Sequence, residues 1–326
     1  MEVGEPMLPY VIRRLVNSLP VLVMVSALTF AGQQLIPGDP LIAMLGEGAA
    51  AEIADLGPGA LAAKRAELGL DQPVPVQYLR YVGRVVQGDF GKSFRTRQEV
   101  TTMVAQRLPV TLTLSTITFS VNVVIGIALG VIAALRQGWP DFFATTWAVL
   151  GVATPNFWAA ILLILVFSVW LGWLPASGWV APWENFTEGL RRLTLPVLAL
   201  GLFGSATIMR QTRSALLEVM RQDYITTARS KGVTEFRVVV RHALKNSMLP
   251  VVTLLGISLS GLIAGSVLIE RVFAIPGVGR MAIDAATARD YPVIQAIVLM
   301  STIAIVLANL LTDLVYGYLD PRIRYD

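Results

Sequence analysis

Six stretches of this chain contain no Asp, Glu, Lys, Arg or His: Leu15 to Ile36, Val110 to Leu135, Phe142 to Leu174, Leu193 to Met209, Met248 to Ile269 and Val293 to Thr312. Each is long enough to cross a bilayer core, which takes roughly 17 to 25 helical residues. With 55% hydrophobic residues, 15% charged residues and a mean hydropathy of +0.64, the 326-residue chain has the composition of a polytopic membrane protein. The third stretch, 33 residues, exceeds one straight crossing, and Pro155 offers a place to divide it. Positive-inside counting argues against two crossings. With six spans, Arg13, Arg14, Arg136, the stretch from Arg210 to Lys245, Arg322 and Arg324 all fall on one side. Between Arg210 and Lys245 stand eight basic residues (Arg210, Arg213, Arg221, Arg229, Lys231, Arg237, Arg241, Lys245) against three acids (Glu218, Asp223, Glu235). A seventh span would move them all outside. The expectation is an all-α polytopic membrane protein of six transmembrane helices, with cytoplasmic N- and C-termini and a tilted or Pro155-kinked third span.

The first stretch follows Arg13 and Arg14, as a secretory signal would, but it is long, lacks a small-x-small cleavage site and ends in IPGDP, so it reads as a retained span. No cysteine occurs, which removes disulfides, thiolate metal sites and cysteine nucleophiles. The pI near 9.5 reflects a basic inner face toward anionic lipid or a partner. Aromatic and basic residues do not interleave in the manner of a nucleic-acid-binding surface. The expected organisation is an N-terminus and first span (1–36), an external loop subdomain of balanced charge (37–109), a transmembrane core (110–319) and an inner tail (320–326). A loop as long as 37–109 either folds as a cover over the helices or receives an external partner.

Asp223 to Pro250, DYITTARSKGVTEFRVVVRHALKNSMLP, is a basic segment between two of these apolar stretches. Asp223 is expected to cap a short helix that Gly232 stops, since Gly adopts the left-handed closing conformation without penalty. Thr234 is the expected N-cap of a second helix, in which Phe236, Val239, Val240, Ala243 and Leu244 form one apolar face. Arg237, Arg241 and Lys245 line up beside that face at steps of four, a pattern that also suits lipid headgroups.

This segment, 221–247, resembles the coupling segment of ABC importer permeases, in which an EAA triplet is followed by a Gly four positions after its last residue and later by Leu-Pro. Here Thr226, Thr227 and Ala228 occupy the triplet, Gly232 has the family spacing, and His242 and Leu244 fall where Ile and Leu are usual. TTARSKG and RHALKNSMLP are similar to the dipeptide, oligopeptide and nickel branch. GLDQPVPVQY with GDFGKS (Gly69 to Ser93), ERVFAIPGVG with RDYP (Glu270 to Pro292), PGDP (Pro37 to Pro40) and DPRIRY (Asp320 to Tyr325) extend the resemblance along nearly the whole chain. It implies a type I importer permease fold in a prokaryotic inner membrane. It also implies that Asp223, Tyr224, Thr227, Ala228, Arg229, Gly232, Thr234, Arg237, Arg241 and His242 lie in the ATPase-coupling region. The partners implied are a second homologous permease, two ATP-binding subunits that carry the ATP and Mg, and an external substrate-binding protein. No cofactor belongs to this chain itself.

Pro276, Gly277 and Gly279 mark a tight turn at the external mouth, where backbone freedom is expected to be needed. Gly126 with Gly130, and Gly261 with Gly265, are small-xxx-small pairs suited to close helix packing. Ser258, Gly261, Gly265 and Ser266 also give the fifth span a small, weakly polar surface that could line a passage.

Two motifs fail on inspection. Gly91-Lys92-Ser93 ends like a phosphate loop, but Val86 stands where its first glycine belongs. Gly256-Ile257-Ser258-Leu259-Ser260 misses the last glycine of GxSxG, and the only histidine, His242, lies far along the chain. No zinc-ligand motif or paired membrane carboxylates occur, so an intramembrane enzyme is disfavoured. Ion-coupled carriers usually keep ionisable groups in mid-membrane, and the six stretches hold none. The expected function is a non-enzymatic permease subunit of an ATP-driven importer of di- or oligopeptides. The alternative is a self-contained secondary carrier or channel.

Overall fold

A computed structural model describes residues 7–35, 59–136 and 138–319, together with the single positions Leu41 and Gly48. PGDP, DPRIRY and most of the first half of the external loop lie outside the described residues. The order is α1 (Met7–Gln34), α2 (Ala60–Leu68), α3 (Val74–Val86), α4 (Val100–Leu135), α5 (Trp139–Ala153), α6 (Asn156–Leu163, continued by a π-wound Ile164–Trp170), α7 (Phe186–Met220), α8 (Asp223–Ser230), α9 (Glu235–Arg237), α10 (Leu244–Val272), α11 (Val278–Thr287) and α12 (Tyr291–Leu319). Among the described residues, four helices suit a membrane crossing by length and apolarity, and six do when each bent pair is counted once. The spanning helices begin before their apolar stretches, and α7, α10 and α12 also run past theirs, because polar residues at a bilayer surface still continue the backbone ladder. Thus α4 starts at Val100, ten residues ahead of its uncharged run.

The third span departs from a tilted rod. Its two halves meet at 106° beside Thr154 and Pro155, where the proline ends α5 and its ring excludes a continuous ladder. It nevertheless returns the chain across the bundle only once. Gly201 packs on Val121, Gly204 on Asn122, Gly126 on Ile208 and Gly130 on Thr212, so numbers rise together along α4 and α7 and the two run parallel. Two crossings between them would have made the pair antiparallel.

These glycines permit the approach. A Cβ on Gly126 would sit 2.7 Å from Ile208, and one on Gly130 would sit 2.6 Å from Thr212. Apolar burial closes both ends of the bundle. Val110, Leu114, Leu193, Leu195, Ile269 and Phe273 form a core at one end, and Ala134, Leu216, Ile225, Val238 and Ala243 form another beneath the basic segment. At that second end Arg14 pairs with Asp313 at 2.6 Å, tying α1 to α12. Arg213 pairs with Asp141 through two hydrogen bonds of 2.6 and 2.8 Å, tying α7 to α5.

Candidate coupling surface and the opposite mouth

Segment 221–247 forms a helix-turn-helix. Gln222, in extended conformation, is the N-cap of α8, and Asp223 is the first helical residue, so the expected Asp223 cap is replaced by a carboxylate in the first turn facing the helix dipole. Gly232 has φ +75°, the left-handed conformation that stops α8, with open space where a Cβ would be. Thr234 is the N-cap of α9 by position, without a side-chain cap bond. Across the turn the Arg229 guanidinium donates to both Glu235 oxygens, at 3.1 and 2.6 Å, which raises the Arg229 pKa and lowers that of Glu235. Asn246 donates to the Tyr224 hydroxyl at 2.9 Å, tying α8 to the start of α10.

The apolar face of the second helix is not the one that regular α periodicity gives. Val238 to Ala243 is π-wound, and the wider turn brings Val238, Val239 and Ala243 inward. Phe236 and Val240, expected inside, are 77% and 47% exposed. Tyr224, Thr227, Arg229, Gly232, Thr234, Arg237 and Arg241 share the exposed surface, and His242 is half-buried. Ala228 faces the other way, packed into the core with Leu216, Ile225 and Val238. The sequence signal for Phe236 was present, an aromatic between charged neighbours, but the 3.6 period assigned it to the core.

At the opposite end, Pro276, Gly277 and Gly279 turn the chain from α10 into α11. Gly277 has φ −93° and ψ −178°, extended backbone open to any residue, so backbone freedom is not its reason. Its missing Cβ leaves room for the Glu270 carboxyl, and a Cβ on Gly279 would stand 2.7 Å from Val267. Glu270 is fully buried and accepts from Thr111 Oγ1 at 2.7 Å, from the Arg280 amide at 2.9 Å and from Ser266 Oγ at 3.3 Å. Thr111 in turn accepts from the Val278 amide at 2.8 Å. One carboxyl thus satisfies the orphan N–H end of α11 and joins it to α4 and α10. Asp290 does similar work next door, accepting from Ser93 Oγ and from the Phe94 amide at 3.0 Å. Both acids flank apolar stretches beside glycine or proline turns, which is the sequence signal that could have marked them.

The two small pairs, one in the second span and one in the fifth, have different surroundings. Gly126 and Gly130 are packed on α7, whereas Gly261 has nothing within 4 Å of a Cβ position and Ser258 is half-buried. Gly265 lies on the same helix, α10. Ser260 donates to Asn309 of α12 at 3.3 Å on that exposed side.

Residues 126–325 match the family described as binding-protein-dependent transport system inner membrane component, and residues 7–115 match one described as the N-terminal part of such a membrane component. A putative peptide transport system permease protein of Brucella abortus (strain 2308) is 44% identical over 317 residues, covering 97% of this chain and 99% of the relative. A glutathione transport system permease protein of Salmonella paratyphi A is 42% identical over 320 residues, covering 98% and 100%. A chain of the inward-facing MetNI methionine ABC transporter has the same fold, with TM-score 0.54 and 17% identity over 67% of this chain and 96% of that one. The protein belongs to the inner-membrane permeases of binding-protein-dependent ABC importers, multi-pass transport subunits that work with ATPase and substrate-binding components rather than enzymes in their own right.

Proposed function

We propose that this chain passes di- or oligopeptides across the membrane as one half of a permease pair. In this reading an external binding protein delivers the peptide, a second homologous permease completes the passage, and two ATP-binding subunits hold the ATP and Mg. Relatives named for peptide and glutathione transport, similar from end to end, support the substrate class.

The observation that carries the reading is the Phe236–Val240 ridge. Two large apolar side chains stand exposed on a polar, basic segment, flanked by Arg237 and Arg241. A groove on another protein would remove that apolar surface from water, with the guanidinium groups at its rim. Beneath the ridge, Val238 and Ala243 pack on Ala134 of α4 and Leu216 of α7, and α9 continues through the π-wound turn into α10. A push on the ridge is therefore delivered to three spanning helices as a rigid-body displacement. This arrangement supports ATPase coupling with segment 221–247 and both termini on the cytoplasmic side. Arg237, Arg241 and Lys245 could also meet anionic headgroups where the partner does not cover them.

The test is co-purification of the tagged chain from its native membrane in mild detergent. A second permease and P-loop ATPases in near-equal amounts are expected. Phe236→Ser with Val240→Ser should keep the second permease and lose the ATPases. Recovery of the chain alone, or full ATPase recovery with the double variant, would refute the proposed role of the ridge.

A further inference from the structure

The mouth end of the bundle holds a cavity of about 650 Å³ between α3, the end of α1 and the start of α12. That volume lies in the range of sites that enclose a small solute. Its charge is one-sided. Arg80 and Arg84, one turn apart on α3, and Lys92 of the following turn all line it, and none of the three forms an ion pair with an acid among the described residues. Among the described residues Asp89 is the sole acid in the lining, and its Oδ1 already accepts from the Gly91 amide at 2.8 Å.

Two further lining groups point to a ligand. Tyr81 and Gln295 are largely buried as residues, but their polar atoms are not sealed in protein and open onto the cavity. Burial pushes the Tyr81 phenol up to about 12, so it remains a donor at neutral pH. Phe30, in ring contact with Tyr81, supplies an apolar wall.

We propose that this cavity is a peptide-binding site on the permease itself, in which Arg80 and Arg84 clamp the C-terminal carboxylate of a short peptide while Tyr81 and Gln295 meet its amide groups. The ligand class rests on the peptide reading above. The chemistry follows from the lining. Paired guanidinium groups match the two oxygens of a carboxylate, donor and amide groups match a peptide backbone, and Asp89 supplies the one counter-charge for an ammonium.

The experiment uses the assembled transporter in phosphatidylcholine nanodiscs without its binding protein, and measures equilibrium binding of radiolabelled tri-alanine. Saturable binding is expected, with tri-alanine amide competing at least ~10-fold more weakly than the free acid, because it lacks the anionic partner of the clamp. Arg80→Gln with Arg84→Gln should weaken binding by at least ~10-fold, and Arg80→Lys with Arg84→Lys by less, since charge is kept and the fork lost. Gln295→Leu removes an amide that no described residue engages, so it tests the site without removing a known contact of the fold. No saturable binding by a transporter that imports tri-alanine with its binding protein, equal competition by the amide, or binding unchanged in both the glutamine pair and Gln295→Leu would overturn the site. So would native mass spectrometry showing retained phosphatidylglycerol, lost in the glutamine pair, with no tri-alanine bound. A transporter that binds tri-alanine here but imports no peptide supports the site and sinks the transport reading instead.

Discussion

The Ser93 hydroxyl donates to the Asp290 carboxylate across 197 residues of chain, and both groups are buried. Ser93 belongs to the GDFGKS turn before α4, and Asp290 to the RDYP turn before α12. The carboxylate also accepts from the Phe94 amide at 3.0 Å and lies 3.5 Å from the Arg95 amide. Two separate sequence blocks are thus one structural unit, and the serine that imitated a phosphate loop is a ligand for a carboxylate. Asp290→Ala removes the acceptor from buried donors at once and should destabilise the protein by ~1–3 kcal/mol. Asp290→Asn, which keeps one carbonyl oxygen, should cost less. Thermal unfolding in detergent and faster amide exchange over 90–97 measure this. Equal stability of wild type and the alanine variant would exclude the role.

Gly277→Ala should destabilise the turn although its φ is ordinary, because the new Cβ would collide with the Glu270 carboxyl. The test is non-additivity. In a Glu270→Ala background the alanine at 277 has space, so its own penalty should disappear, whereas a backbone cause would leave it unchanged. A thermal-stability cycle over the four proteins reads the difference.

The long helices were legible because an uncharged stretch at least 17 residues long has few other folds available. So was the Gly232 bend, since a helix stop followed by a new helix demands a left-handed residue and glycine supplies it cheaply. What was hidden depended on geometry that periodicity does not encode. A π-wound turn over Val238–Ala243 shifts the buried face by less than one residue step per turn, enough to expose Phe236 and Val240. Glu270 and Asp290 are charged residues at the ends of apolar stretches, and nothing in their local sequence beyond the adjoining turns distinguishes a buried carboxylate from a solvated one. Only the return of distant turns onto them shows that they are interior. The 106° break in the third span was anticipated in place by Pro155 but not in size, and α5 is held on α7 by the Trp147 indole donating to the Leu202 carbonyl at 3.2 Å.

Gly232→Val should uncouple ATP hydrolysis from transport. With φ +75° and no neighbour within 4 Å, the obstacle is backbone strain of ~1–2 kcal/mol rather than collision. Gly232→Asn, which tolerates the left-handed region, should therefore stay near wild type while Gly232→Val fails. ATPase rate and uptake measured on the same assembled preparation separate the two. A crowded site would penalise both variants alike.

The Arg229–Glu235 pair spans that bend and has a defined pH signature. Arg229 lowers the Glu235 pKa, so the pair's stabilisation is present above the unfolded-state value and is lost as pH falls through the folded one. At neutral pH the contribution is intact but small, under ~1 kcal/mol, because both side chains are exposed. Acidification should loosen the bend, seen as lower amide protection factors across 229–236 once the intrinsic pH dependence of exchange is divided out, and Glu235→Gln should remove that change. Persistence of the dependence in the glutamine variant would assign it to another group.

The two small-residue pairs should respond oppositely to the same substitution. Gly126→Ala places a methyl 2.7 Å from Ile208, inside the parallel α4–α7 contact, and overpacking of this kind costs ~1–3 kcal/mol. Insertion yield and thermal stability of the single chain should fall. Gly261→Ala meets no atom of this chain within 4 Å, so its stability should hold. Any effect must then come from what faces that side of α10 in the assembly, the companion permease or the moving substrate. Uptake lost with assembly intact would place Gly261 on the passage, and assembly lost with the single chain intact would place it at the subunit contact. A drop in single-chain stability equal to that of Gly126→Ala would show that α10 packs more closely within its own chain than an open Cβ position allows.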